Sequence, residues 1–306
     1  MGMFPTKILL ATDGSPEADR ALRAAVELSG KTGSDLYVGH AAPMPSIHAM
    51  PERAVYVPGR AFQELKSIAE REGHKVLEEQ VQKVEKAGGK VAGSYLRVGR
   101  SDEMIVGLAE EIGAGLIVVG SRGYGSLRRV LMGSVSDSVV RHAHCPVLVV
   151  RPRGLQERNI LDGRILLAID GSKEASAAAH VGVELAKSTE SDLHVTLGMS
   201  TEPEAPYPPP LAGERWSHSL EQAEHDARNF IEEQAKRLGD EAGVSAQAHF
   251  RLGRPDHEIV KLAEELDASL IVMGSRGLGG VRRSLMGSVS DSVVRHAHSS
   301  VLIVRE

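Results

Sequence analysis

One stretch of this chain occurs twice, and it constrains the fold more than any other feature. Residues 116–136 comprise an apolar run, a glycine turn, nine further residues and a second glycine that opens a helical pattern. The turn and helix-start residues of this copy are Gly120, Ser121, Arg122, Gly123, Gly133, Ser134, Val135 and Ser136. The second copy, at the same offsets, has Gly274, Ser275, Arg276, Gly277, Gly287, Ser288, Val289 and Ser290.

The rest of the chain is duplicated around this stretch. The segment Arg164–Ser172 repeats Lys7–Ser15, and each copy then follows the same order of apolar and polar segments. A chain of 306 residues has room for two domains that each bury a core. Two copies of a long unit are not a solenoid, which needs several short repeats. We therefore predict domains over residues 1–153 and 164–306, joined by a linker over residues 154–163.

Short apolar strands alternate with helical patterns in each copy. This alternation predicts an α/β fold of two tandem, doubly wound, five-stranded parallel sheets with helices on both faces. In such sheets a ligand binds beyond the carboxyl ends of the strands, where the strand order reverses. The first and fourth strands flank that point. We therefore expect Asp13, which ends the first strand, to lie close to Gly120, which ends the fourth.

Composition narrows the class of partner. The net charge of −5 and the aromatic content of 3% argue against nucleic acid or an anionic membrane as a partner. The single cysteine, Cys145, excludes an intrachain disulfide and fits a reducing compartment. No apolar run approaches the length of a membrane span. We therefore expect a cytoplasmic protein.

The two glycine segments suit a cradle for phosphate groups. Gly120 and Gly123 let the backbone turn and place no Cβ in a ligand's path. A helix beginning at Ser134 presents amides without intrahelical partners at the positive end of its dipole. Ser134 and Ser136 would add hydroxyl donors. The alternative is an ordinary turn before a helix with Ser134 as N-cap and Asp137 three residues on, but the repetition at the same offsets favours phosphate binding.

These residues together resemble the universal stress protein family. The resemblance rests on the spacing Gly-x2-Gly-x9-Gly-Ser after the fourth strand and on the turn Asp13-Gly14-Ser15 after the first. It covers nearly the whole chain as two tandem domains. It implies the strand order 3-2-1-4-5 and, for members that carry the glycine pattern, binding of ATP, with or without Mg²⁺. Each domain would then hold one adenine nucleotide.

The resemblance also implies individual contacts. Asp13 and Asp170 match the acid that contacts the nucleoside sugar, and both glycine segments of each copy match phosphate contacts. The positions that match backbone contacts beside adenine and ribose are Ala11, Ala41, Ala168 and Gly198. In the second copy Gly198 stands where the first copy has Ala41. Because glycine is smaller, we expect looser contact with adenine in the second copy.

The two aspartates have a second interpretation, as residues that cap the turn before a helix. Asp13 and Asp170 are each followed by glycine and then serine. That serine can already cap the next helix, so a second capping residue is less needed. The ligand role is therefore favoured.

Other polar clusters are weaker candidates. Arg128-Arg129 and Arg282-Arg283 lie in the nine-residue loops, where they either close over phosphates or, as we favour, form a solvated loop. His142 and His144, with their copies, suggest a metal pair. No carboxylate or cysteine pattern completes such a site, so we predict no metal site and attribute these histidines to the helix C-terminus.

The pattern favours binding over catalysis. The P-loop lysine of Gly-x4-Gly-Lys-Ser/Thr is missing, and nothing in the sequence marks a general base for an attacking water. The leading interpretation is a nucleotide-dependent sensor or switch in a stress response. The alternatives are a slow ATPase or autophosphorylating protein, with Ser134 or Ser288 as acceptor, and a scaffold whose nucleotide is structural.

The fifth strand of each copy is apolar and would form a sheet edge, at Pro146–Arg151 and Val301–Arg305. Exposed edges of this kind aggregate unless they are covered. We therefore expect the two edges to pair antiparallel, so that the two domains form a pseudo-dimer within one chain. The family resemblance also implies this pairing. A homodimer of the whole chain is compatible with it. The irregular segments Pro43–Gly59 and Pro203–Gly213 are candidate lids or partner surfaces.

Overall fold

A computed structural model of the protein describes residues 2–44, 59–123, 132–152, 160–161, 163–200, 214–277 and 286–305. The chain divides into two compact units. One comprises Phe4–Pro152, and the other comprises Arg153–Glu306 together with Met1–Met3. Most of the proline-rich segments, and both arginine pairs of the nine-residue loops, lie outside the described residues.

The two units have the same order of elements. In the N-terminal unit these are β1 (Lys7–Thr12), α1 (Pro16–Thr32), β2 (Asp35–Ala42), α2 (Gly59–Lys86), β3 (Val91–Val98), α3 (Ser101–Ile112), β4 (Leu116–Gly120), α4 (Ser134–His142) and β5 (Val147–Val150). In the C-terminal unit they are β6 (Arg164–Ala168), α5 (Lys173–Thr189), β7 (Asp192–Met199), α6 (Glu214–Ala242), β8 (Ala246–Leu252), α7 (Pro255–Glu265), β9 (Leu270–Gly274), α8 (Ser288–His296) and β10 (Ser300–Val304).

All the strand pairs described within a unit are parallel. In the N-terminal unit β1 lies between β2 and β4, β3 pairs with β2, and β5 pairs with β4, which gives the order β3-β2-β1-β4-β5. The C-terminal unit has the corresponding order β8-β7-β6-β9-β10. The predicted α/β fold is confirmed. The strand order reverses between β1 and β4, and likewise between β6 and β9.

The central strands of the N-terminal sheet are apolar because both faces of the sheet are covered. Every residue of β4 is buried, and Ile117 and Val118 have no exposed surface. A Cβ at Gly39 would lie 2.8 Å from Leu108 of α3, whereas one at Gly73 of α2 would lie 3.1 Å from Cβ of Ala42. Gly39 and Ala42 are an odd number of residues apart on β2, so α3 and α2 cover opposite faces. Such double burial explains a continuous apolar run in place of an alternating one.

The helices and polar side chains of the described part of the chain bear on membrane and metal binding. None of its helices combines the length and apolarity that crossing a membrane requires. The same residues contain no group of three or more histidine, cysteine, aspartate or glutamate side chains placed to hold a metal ion.

One buried contact distinguishes the two sheets. In the C-terminal unit, His194 Nδ1 lies 2.9 Å from Nε2 of His249 on the adjacent strand, and His194 is buried. At the corresponding positions the N-terminal unit has Tyr37 and Tyr95, whose rings stack. Burial, and then the charge of the other histidine, lower the pKa of His194; burial, and then the charge of Arg251, lower the pKa of His249.

We predict that this histidine pair makes the protein less stable in mild acid. Below the ordinary histidine pKa of about 6.5, the unfolded chain binds protons that the folded rings resist, so stability falls as the pH drops. Urea unfolding of the full chain at pH 7.5 and 5.5 measures this loss, and the double variant His194→Tyr, His249→Tyr should reduce it. The exposed residue His74, changed to tyrosine, is the control. An equal loss in the double variant and the wild type would contradict the assignment.

Candidate functional site

A cavity of about 570 Å³ lies at the carboxyl edge of the N-terminal sheet. The register pairs Ala11 of β1 with Val119 of β4, so the ends of these strands and the start of α4 meet there. Every residue predicted for this half lines the cavity except Ser121: Ala11, Asp13, Ala41, Gly120, Arg122, Gly123, Gly133, Ser134, Val135 and Ser136. The sequence patterns missed further lining residues, among them Thr12, His40, Ser101, Ile105 and Met132.

The helix that faces the cavity begins differently from the first helix of each unit. The helices α1 and α5 begin after Ser15 and Ser172, whose side chains accept from the amides of Ala18 and Ala175. In α4 the N-cap is Gly133, which offers no side-chain acceptor, and Gly287 has the same position in α8. The alternative that Ser134 is an N-cap is therefore wrong, because Ser134 is the first helical residue. An external acceptor suits a helix start of this kind.

Backbone hydrogen bonds hold the helix start against the sheet. The amide of Gly133 donates to the carbonyl of Ser121 at 2.7 Å, and the amide of Ser121 donates to the carbonyl of Val150 at 2.9 Å. Ser121 has no exposed surface, and its Oγ has no partner among the described residues. Ser121 therefore joins the loop to β5, and it is not among the residues that line the cavity. Ser275 is equally buried and makes the same two bonds.

Ser136 and Ser290 also differ from the prediction. Ser136 Oγ is buried and donates to the carbonyl of Gly120 at 2.7 Å, and Ser290 Oγ donates to that of Gly274 at 2.8 Å. A serine hydroxyl has a single proton to donate, so neither hydroxyl serves as a phosphate donor in this arrangement. Each serine instead joins the first turn of its helix to the end of the preceding strand.

The turn glycines are needed for reasons of space. A Cβ at Gly120 would lie 2.9 Å from the carbonyl oxygen of Glu17, so Gly120 allows α1 to pack against β4. Gly274 packs in the same way against Glu174. Neither Gly120 nor Gly123 has a positive φ, whereas Gly14, in the turn after β1, has φ of 82°. Gly120 therefore has a packing role in addition to its place in the cavity lining.

Each of the two aspartates stabilises its turn and lies beside the first glycine segment of its unit. The amide of Ser15 donates to Asp13 Oδ1 at 3.0 Å, so one carboxylate oxygen stabilises the turn. A Cβ at Gly123 would overlap Asp13 Oδ2, which brings the second oxygen to the first glycine segment, in the cavity lining. Asp170 repeats both features with Ser172 and Gly277.

Two arginines give the first glycine segment a positive charge. Arg122 lines the cavity, and its buried Nε has no partner among the described residues. Arg151, at the end of β5, is buried, and its pKa is lowered to about 10 by that burial and then by the charge of Arg122. The sequence patterns did not single out Arg151, although Arg305 repeats it. In the C-terminal unit, Arg276 Nη2 lies 3.2 Å from Glu174 Oε1.

The remaining predicted residues of the C-terminal unit lie at matching positions. Ala168 of β6 pairs with Met273 of β9, next to the strand end at Gly274. A Cβ at Gly287 would lie 3.4 Å from Cα of Arg276, so the helix start and the glycine turn are adjacent. Ser288 and Val289 form the first helical residues after that glycine.

The change from Ala41 to Gly198 is matched by a change in the residue that packs against it. A Cβ at Gly198 would lie 2.9 Å from Cα of Pro255, the first residue of α7. In the N-terminal unit the corresponding pair is Ala41 and Ser101, and Ser101 Oγ donates to the carbonyl of Ala41 at 3.2 Å. The exchange of alanine for glycine is therefore accompanied by an exchange of serine for the bulkier proline.

The histidines near the end of α4 have local partners. His142 Nδ1 lies 2.8 Å from the carbonyl of Ser138 in its own helix. His144 Nε2 lies 3.0 Å from Glu110 Oε1, and both side chains are largely exposed. These contacts fit the placement of histidine at a helix C-terminus.

A buried carboxylate joins the two helices that start at the cavity. Asp102 accepts from Arg100 Nε and Nη2 at 3.0 and 2.8 Å and from Ser138 Oγ of α4 at 2.6 Å. The bond from Arg100, with a smaller contribution from Ser138, lowers the pKa of Asp102 to about 2 against the opposing effect of burial. Asp256 is held in the same way by Arg254 and Ser292.

The fold and the site define a class of protein: a tandem α/β chain with a cavity where the strand order reverses, bounded by a helix that begins at glycine. The family model described as "Universal stress protein family" matches residues 5–151 and 163–305. The chain belongs to the universal stress protein family.

Individual relatives agree with this assignment. A universal stress protein of Mycolicibacterium smegmatis is 29% identical over 310 residues, which cover 97% of this chain and 96% of the relative. Universal stress protein YxiE of Bacillus subtilis is 36% identical over 146 residues, which are 47% of this chain and 98% of the relative. The solved structure of a universal stress protein from Archaeoglobus fulgidus has a similar fold, with a TM-score of 0.65, 24% identity and coverage of 100% of this chain and 98% of that one.

We predict that Asp102→Asn destabilises the protein by about 2 kcal/mol at pH 7. Because the folded pKa of Asp102 is depressed, its stabilisation is present above the unfolded pKa of about 3.8 and is lost as the pH falls towards 2. Urea unfolding of the full chain should therefore show a difference between variant and wild type that shrinks from pH 7 to pH 3.

Glu72→Gln is the control for this prediction. Glu72 forms an exposed ion pair with Lys75 in α2, so its loss should change stability by less than about 1 kcal/mol. A loss in Asp102→Asn that is the same at pH 7 and pH 3 would show that packing, and not the charge, is responsible.

Proposed function

We propose that this protein binds ATP, with one nucleotide in each unit, and acts as a nucleotide-dependent sensor or switch in a stress response. The observation that carries the proposal is the start of α4 at Gly133, beside a cavity of about 570 Å³. Ligand pockets of roughly 300–1,000 Å³ suit small molecules of nucleotide size. The same helix start, with identical sequence, is present in α8.

The charges around the cavity support a triphosphate. The amides and the positive dipole end of α4 would hold the phosphates, with Arg122 on the adjacent glycine segment. Asp13, a carboxylate in the cavity lining, would contact the ribose, or Mg²⁺ where the ion accompanies ATP. Ala11 and Ala41 would form the wall beside the base.

Binding without rapid hydrolysis fits the same residues. The chain has no P-loop lysine, and Ser136 is bonded to Gly120 instead of facing a phosphate. We therefore propose a protein that reports nucleotide occupancy. A cytoplasmic location, without a nucleic-acid or membrane partner, fits the single cysteine and the net charge of −5.

We predict that calorimetric titration of the nucleotide-free full chain shows one ATP bound per unit. Ser134 and Ser288 are exposed first residues of their helices, where aspartate suits the helix dipole but repels a phosphate. Ser134→Asp and Ser288→Asp should each weaken one site by at least about tenfold, and the double variant should weaken both. Ser67→Asp, an exposed position in α2, is the charge-matched control.

Two outcomes would decide against parts of the proposal. Unchanged ATP affinity in the double aspartate variant would overturn the phosphate cradle. Release of phosphate faster than in buffer, or incorporation of label from ATP at Ser134 or Ser288, would favour the slow ATPase or the autophosphorylating protein over the switch.

A further inference from the structure

The two units differ at one end of the site and are alike at the other. All residues of the glycine segments and helix starts are the same in both copies. The polar lining residues Thr12, His40 and Ser101 of the N-terminal unit are replaced at the corresponding positions by Ile169, Leu197 and Pro255. The end of the site proposed to hold phosphates is therefore identical in sequence in the two units. The opposite end is polar in the N-terminal unit and apolar in the C-terminal unit.

The strand order places this difference away from the phosphates. Because β1 lies between β2 and β4, His40 near the end of β2 is separated from the glycine segment after β4 by the width of β1. His40 and Gly133 nevertheless line one cavity. A nucleotide with its phosphates at α4 would extend its base towards β2.

The geometry of His40 defines its hydrogen-bonding character. His40 is buried, and its Nδ1 lies 2.7 Å from the carbonyl oxygen of Thr12. A carbonyl only accepts, so Nδ1 carries the proton, and Nε2 of the neutral ring is an acceptor. The described residues provide no hydrogen-bond partner for Nε2. This nitrogen is therefore suited to accept from a donor on a ligand.

A buried network fixes the residue that positions His40. Thr12 Oγ1 donates to Gln80 Oε1 at 2.9 Å and accepts from the amide of Gly14 at 3.2 Å. Gln80 is itself buried, on α2. Lys83, one turn further along α2, donates from Nζ to Asp19 Oδ1 at 2.7 Å. The acceptor is thus held before any ligand binds, which favours selectivity.

We propose that His40 is a specificity-determining residue that makes the N-terminal site select adenine over guanine nucleotides, while the C-terminal site, with Leu197, selects weakly. This inference rests on the proposed nucleotide binding. Adenine carries an exocyclic amino donor where guanine carries a carbonyl acceptor, so Nε2 pairs with the first and opposes the second. A site built to hydrogen-bond discriminates strongly, whereas an apolar pocket does not.

The test measures each site alone in the full chain. Ser288→Asp leaves the N-terminal site, Ser134→Asp leaves the C-terminal site, and calorimetry gives the ratio of the dissociation constants of GTP and ATP. We expect a ratio of about tenfold or more at the N-terminal site and a ratio within about threefold at the C-terminal site. His40→Leu, made with Ser288→Asp, should lower the N-terminal ratio to the C-terminal value.

A second variant separates recognition from folding. His40→Asn keeps a donor for the Thr12 carbonyl but has no atom at the position of Nε2, so it too should lose selectivity, with an unchanged circular dichroism spectrum. His74→Leu, at an exposed position of α2, should keep the wild-type ratio. A ratio retained in both folded His40 variants would overturn the inference.

The same titrations distinguish the two proposals. If ATP and GTP bind equally to the N-terminal site and Ser134→Asp removes both, the nucleotide site stands and the role of His40 fails. If neither nucleotide binds the wild type, the proposed function itself fails.

Discussion

The site depends on one short connection, in which the amide of Gly133 donates to the carbonyl of Ser121 while Ser121 donates to β5. These bonds fix the start of α4 at the point where the strand order reverses. Because the N-cap is glycine, no side chain of that residue competes for the amides of the first turn. The C-terminal unit keeps the same connection at Ser275 and Gly287.

The surrounding packing explains why this connection persists in both copies. Gly120 and Gly274 allow the first helix of each unit to approach the end of the fourth strand. Ser136 and Ser290 tie the first helical turn back to those same strand ends. In addition, Asp102 joins α3 to α4, and Asp256 joins α7 to α8. The helix start is thus held from the sheet and from its neighbouring helix.

Much of this could be predicted from the sequence, because it depends on local patterns. Alternation of apolar strands with helices predicted the fold, and the glycine segments together with the family resemblance predicted ten of the residues that line the cavity. The roles of single residues were less accessible. Gly120 could not be recognised as a packing glycine, since its contact with Glu17 depends on how α1 lies on β4.

Three polar residues that pattern reasoning missed share one physical cause. His40, Asp102 and Arg151 are polar groups whose importance comes from partners distant in the chain or from burial. Comparison of the two copies was the available signal for His40, because leucine replaces it in the second copy. Asp102 and Arg151 are repeated as Asp256 and Arg305, but repetition alone does not separate a functional residue from a structural one.

The central claim is that the open helix starts hold the phosphates of a nucleotide. Amide chemical shifts of the ¹⁵N-labelled full chain, recorded with and without ATP, test it most directly. The account predicts the largest shifts at Ser134–Ser136 and Ser288–Ser290, and small shifts at Ser67, an exposed residue of α2 that does not line the cavity. Shifts that leave the starts of α4 and α8 unchanged would contradict it.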